Sequence, residues 1–149
     1  MKKTEIVIVV ISVIAIVLRL FSIEGGALLS TLSFGILSLF YLFFGFLLFN
    51  NIPIKSVFKK NVYSNLSWKR LLWSVSVGVS LSVAVIGILF ALNRWAGASV
   101  MLRSGIILLL GVCATSLIRY IPKPSKYHAG ILIRSGVLII ASIILFVTA

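Results

Sequence analysis

The chain has 149 residues, of which 61% are hydrophobic, and its mean hydropathy is +1.24. Fourteen Lys and Arg stand against two acids, for a formal net charge of +12. That much apolar surface excludes a soluble globular domain. The charge lies almost wholly in the gaps between apolar stretches, so no soluble basic face exists to bind nucleic acid.

A helix that crosses a bilayer needs ~20 consecutive, mostly apolar residues. Five stretches approach or exceed this: 6–23, 27–49, 71–92, 98–118 and 127–149. The fold class expected is therefore all-α, a single polytopic transmembrane domain with five spans that occupies the whole of 1–149. Little chain is left over for an extramembrane domain.

The N-terminal run MKKTEIVIVVISVIAIVL is charged and then apolar, as a signal peptide is. The residues that follow, Arg19 to Glu24, offer neither a small-x-small cleavage site nor a lipobox cysteine, so an uncleaved first span is expected. The second stretch is bulky nearly all round, with Phe34, Phe40, Tyr41, Phe43, Phe44, Phe46 and Phe49 broken by Gly35 and Gly45. Such bulk suits a helix that faces lipid or a partner.

The following gap carries Lys55, Lys59, Lys60, Lys69 and Arg70. After Pro53, Ile54, Phe58, Val62 and Leu66 recur about once per helical turn with lysines between them. Two readings remain open for 54–68: an amphipathic helix lying on the inner leaflet, or a solvated basic loop. The third stretch contains SVSVGVSLSV, whose period of two suggests a strand. An open strand leaves its backbone unsatisfied in lipid, so a helix is expected instead. Ser74, Gly78 and Ser82 then share one face at four-residue spacing, a helix-packing seam. The fourth stretch holds the lone cysteine, Cys113, which reads as a small packing residue. Pro122 and Pro124 predict a short stiff turn before the last stretch.

The N-terminus and the gaps 50–70 and 119–126 collect most of the Lys and Arg. The alternate gaps hold Glu24 with Arg19, Arg94 and Arg103 near the helix ends. The positive-inside rule then predicts a multipass protein of the cytoplasmic (inner) membrane, N-terminus in and C-terminus out. Tyr63, Trp68, Trp73, Tyr120 and Tyr127 cluster at the predicted inner interface and Trp95 at the outer, as amphipathic rings favour headgroup depth.

Arg134 lies seven residues into the last stretch, ~10 Å along a helix. A charge at that depth is either functional or snorkels to the headgroups on its long stem. With Arg103, Arg19 and Arg94 it forms the candidate site for an anion or lipid headgroup. Glu24 is expected to pair with one of the outer arginines. Glu5 and Glu24 are both placed at helix ends, leaving no acid within a span for a proton or cation relay. With one His, one Cys and no Asp, no metal cluster, cofactor site or Ser/His/acid set is assembled, and no enzyme is expected. The lone His128 reads as an interfacial residue.

Two internal echoes stand out. Arg103-Ser104-Gly105 followed by Ile106-Ile107-Leu108 returns as Arg134-Ser135-Gly136 followed by Val137-Leu138-Ile139. The turn Glu24-Gly25-Gly26-Ala27 loosely matches Trp95-Ala96-Gly97-Ala98. A decayed duplication of one hairpin, spans one-two and three-four, and chance similarity in low-diversity sequence are both open.

The run Trp95-Ala96-Gly97-Ala98-Ser99-Val100-Met101-Leu102, with Gly105 beyond it, resembles a pattern in small multipass membrane proteins of the Bacteroidota. It is also similar to one hairpin of the membrane subunit in the gliding-motility and type IX secretion motor. That family carries an acid within its membrane helices and a long extramembrane tail. This chain offers no match to either, so the resemblance implies a membrane hairpin and not a proton-driven motor. The partners expected are the bilayer itself, anionic lipids of the inner leaflet, and another membrane protein or further copies of this chain. The function expected is a structural or accessory subunit of a membrane complex. The alternative is a small transporter or lipid-handling protein for an anionic substrate.

Overall fold

The computed structural model describes residues 2–59, 61, 63 and 66–148. Five α-helices account for most of it: α1 (Lys2–Leu20), α2 (Gly26–Phe49), α3 (Trp68–Leu92), α4 (Ala98–Tyr120) and α5 (Lys126–Thr148). No strand occurs among the described residues, and the alternating serines and valines of α3 are helical.

Four of the helices, α2 to α5, are long and apolar enough to cross a membrane. The expected fifth, α1, is not. Its 19 residues include Lys3, Glu5 and Arg19, which fall within any 18-residue window drawn along it. Charges at that spacing oppose insertion of α1 by itself, whereas in the bundle it packs along α2 with Glu5 paired to another helix.

The α1–α2, α3–α4 and α4–α5 connections are short, and successive helices run antiparallel. Three helix ends share one C-terminal device. Ser22, Asn51 and Arg94 each adopt a left-handed φ, of 53°, 54° and 53°. Each is followed by a residue whose N–H reaches back to the helix: Ile23 to Leu18 O, Ile52 to Leu47 O and Trp95 to Phe90 O. This is the Schellman arrangement, which satisfies carbonyls that the helix leaves open. Past it, Gly25 and Gly97 hold φ of 84° and 86° and begin α2 and α4. Glycine is the residue that takes this conformation without strain.

α3 is the central helix, in contact with α2, α4 and α5, while α1 packs on the outer side of α2. At the α2–α3 seam a Cβ on Gly45 would stand 2.9 Å from Gly78 Cα, and one on Gly78 would stand 2.6 Å from Tyr41 O. Backbone meets backbone there because neither helix carries a side chain between them. A second close approach joins α3 and α4, where a Cβ on Gly105 would lie 2.8 Å from Ala84 Cα. The buried stripe of α4 follows a heptad, Leu102, Gly105, Leu109, Val112 and Ser116, and meets α3 at Gly105, while α5 buries Ile131, Ser135 and Ser142. Alternating steps of three and four residues suit a shallow left-handed crossing.

The bulk of α2 turns inward, contrary to the lipid-facing or partner-facing helix its composition predicts. Phe34, Phe40, Tyr41 and Phe49 are core residues, and Phe43 is exposed. The continuous helix expected as one option over 54–68 is absent from the described residues. Ile54–Ser56 form a single 3₁₀ turn, and α-helix begins only at Trp68. Lys60, Val62, Ser64 and Asn65, part of that expectation, lie outside the described residues, as does Ala149 of the last predicted span.

Candidate functional site

The antiparallel order brings the start of α1, the end of α2, the start of α3, the end of α4 and the start of α5 to one end of the bundle. That end carries Lys2, Lys3, Lys69, Arg70, Arg119 and Lys126 and is called the basic end here. Three polar layers lie between it and the bundle centre.

The middle layer is an ion pair. Glu5 from α1 receives both Nε and Nη2 of Arg134 from α5, one on each carboxylate oxygen. Tyr41 of α2 donates its hydroxyl to Glu5 Oε1 at 2.9 Å. Arg134 Nη1 donates to Gly130 O at 3.0 Å, and its guanidinium lies 5.7 Å from the Phe49 ring centre. Two parallel N–H···O bonds between ions hold geometry as well as charge. The side chains are 7% exposed for Glu5 and 22% for Arg134, so the pair sits in a poorly solvated site where each ion depends on the other.

Nearer the basic end, Asn50 Nδ2 donates to Ser74 Oγ at 3.0 Å, and the Ser74 and Tyr127 hydroxyls are 2.8 Å apart. This joins α2, α3 and α5. Nearer the centre, the Ser38 and Ser82 hydroxyls lie 2.7 Å apart and join α2 to α3. Ser74, Gly78 and Ser82 therefore all face α2, with Asn50, Gly45 and Ser38 opposite them.

The four arginines of the anion site do not converge. Arg134 is bound to Glu5. The other three stand at the opposite end of the bundle, each with its own surroundings. Arg19 Nε donates to Leu92 O at 3.2 Å, which caps the last turn of α3. Arg103 lies 5.2 Å from the Phe146 ring centre, and Arg94 is an exposed turn residue. Glu24 is exposed in the α1–α2 turn, and among the described residues the ion pair is made by Glu5 instead.

Glu5 does stand in the first turn of α1, at a helix end, but its carboxylate is buried and lies at the centre of the candidate site. A signal for it exists in the chain. Glu5 shares the buried stripe of α1 with Ser12 and Ala15, at steps of seven and three residues. Tyr41, Asn50 and Tyr127 carry no comparable signal.

At the basic end itself, α3, α4 and α5 enclose a cleft of about 520 Å³ walled by Arg70, Trp73, Arg119 and Tyr127. No group of three His, Cys, Asp or Glu able to hold a metal occurs among the described residues. His128 packs its ring edge-on to Tyr127 at 5.0 Å. No protein-family model, curated protein or solved structure matches this chain.

Proposed function

We propose that this chain is a small integral protein of the cytoplasmic membrane that serves as a structural or accessory subunit of a membrane complex. Its basic end faces the cytoplasm with the N-terminus, and the C-terminal end of α5 lies outside, as the positive-inside rule favours. The observation that carries this reading is that the buried ion pair and the tyrosine and asparagine side chains beside it join helices to one another. Glu5, Arg134 and Tyr41 tie α1, α2 and α5, and Asn50, Ser74 and Tyr127 tie α2, α3 and α5. The α2–α3 seam, closed by Gly45 against Gly78, leaves no width there for a solute.

The alternative, transport or lipid handling of an anion by Arg134, Arg103, Arg19 and Arg94, has less support. These residues occupy two ends of the bundle, and Arg134 is already neutralised by Glu5. The test is native mass spectrometry of the tagged protein extracted from its own membrane in mild detergent. A stoichiometric protein partner or a defined homo-oligomer is expected. A chain that emerges as a monomer under every mild condition overturns the subunit reading.

A further inference from the structure

The cleft at the basic end collects more positive charge than the chain can answer. Lys69 and Arg70 come from the first turn of α3, Arg119 from the last turn of α4, and Lys126 from the first residue of α5. The whole chain has two acids. Glu5 is held by Arg134, and Glu24 stands at the opposite end of the bundle. The cleft wall therefore holds four cations and no counter-charge.

Two of the cations are held in place and still have open donors. The Arg70 guanidinium lies 4.5 Å from the Tyr127 ring centre, and that of Arg119 lies 5.3 Å from the Trp73 ring centre. Stacking on a ring occupies the face of a guanidinium and leaves its N–H edge free. Tyr127 is itself fixed by Ser74, so this wall belongs to the bundle's core network. Ser125 adds a hydroxyl at the start of α5, where its Oγ accepts from the His128 N–H at 3.3 Å. Among the described residues, Trp73 Nε1 and His128 Nδ1 in the same wall are buried without a hydrogen-bond partner.

We infer that this cleft binds a phosphate group, with Arg70 and Arg119 as its paired planar donors and Lys69 and Lys126 supplying further charge. Guanidinium pairs match the oxygens of a phosphate mono- or diester, and ammonium groups add point charge around it. Rings of Trp73 and Tyr127 beside the cations suit a site at the edge of the bilayer. An anionic phospholipid headgroup therefore heads the sources of the phosphate, and a free phosphate ester is the other. The site is independent of the subunit reading, since it depends on the cleft and not on any protein partner.

The test is a titration of the full-length protein in a neutral detergent with short-chain phosphatidylglycerol, phosphatidylcholine and inorganic phosphate. Bound probe per chain is read by native mass spectrometry and apparent Kd by Trp fluorescence. Saturable binding of phosphatidylglycerol at one site, with none of phosphatidylcholine, is expected. The double variant Arg70→Gln/Arg119→Gln weakens it about tenfold or more, from the loss of two charge-assisted contacts. Lys69→Gln/Lys126→Gln, on exposed positions that the fold does not need, weakens it in the same direction. Lys55→Gln/Lys59→Gln, outside the cleft, leaves it unchanged. Phosphate binding as tight as lipid binding, with the same dependence on variants, supports the site and assigns the free ion as its source. Equal loss in all three double variants, or undiminished binding in the arginine pair, overturns the proposal.

Discussion

Glu5 and Arg134 are 129 residues apart in the chain and meet through both carboxylate oxygens. Removing one ion leaves the other without compensation in a poorly solvated place, so Glu5→Gln or Arg134→Leu is expected to cost about 3 kcal/mol. The double variant Glu5→Leu/Arg134→Leu should recover most of that, because an apolar pair of similar volume suits the site at least as well. Thermal unfolding midpoints in one detergent check this. A double variant no more stable than the worse single one would show that the pair is not a mutual neutralisation. Tyr41→Phe removes only a hydroxyl donor to Glu5 and should cost about 1 kcal/mol.

Helix pairing in this bundle rests on the absence of side chains at a few positions. Gly78→Ala places a methyl 2.6 Å from Tyr41 O, an atom of helical backbone that cannot turn aside. The α2–α3 seam must open, at a cost of about 1–3 kcal/mol, with loss of the Ser38–Ser82 contact. Gly35→Ala is the matching control. Its new methyl meets nothing within 4 Å, and it should be neutral or stabilising by up to about 1 kcal/mol. A midpoint that falls as far for Gly35→Ala as for Gly78→Ala would remove the seam as the cause. The two hairpin turns are the same device placed 72 residues apart, Ser22 and Gly25 matching Arg94 and Gly97 (94 − 22 and 97 − 25). Gly97→Ala meets open space but must hold φ of 86°, so its expected loss of roughly 1 kcal/mol is purely conformational. The other echo is not a structural repeat. Gly105 is pressed against Ala84, whereas Gly136 faces open space, and Arg103 is exposed where Arg134 is paired.

At the scale of the molecule, cations divide unevenly between the two ends, and this asymmetry carries the proposed orientation. Single-cysteine variants built on Cys113→Ser test it with a membrane-impermeant maleimide on intact cells. Glu24→Cys and Arg94→Cys, in the turns opposite the basic end, should react. Lys59→Cys and Lys123→Cys should react only after the membrane is opened. Labelling of Lys59→Cys in intact cells would reverse the orientation. The outer faces of α4 and α5 expose Ile107, Leu110, Ile118, Ile133, Val137 and Ile144. In a bilayer these are lipid-facing surfaces or the seats of a partner helix.

Hydropathy alone determined that the chain is helical and where four apolar helices lie, because a long apolar segment has one way to satisfy its backbone in lipid. It also placed Ser74, Gly78 and Ser82 on one face, since helical spacing is a local property. Which helix that face would meet was not legible, and neither was the inward turn of the phenylalanines of α2. Composition says how bulky a helix is, but its neighbours decide which side is covered. The charges were the least legible part. Read along the chain, Arg134 looks like a free cation inside an apolar segment and Glu5 like a helix-end residue. Only the tertiary structure brings them together, because the partner of a buried ion is set by the packing of α1, α2 and α5 and not by its sequence neighbours. The same packing gathers Lys69, Arg70, Arg119 and Lys126, drawn from three helices, around one cleft.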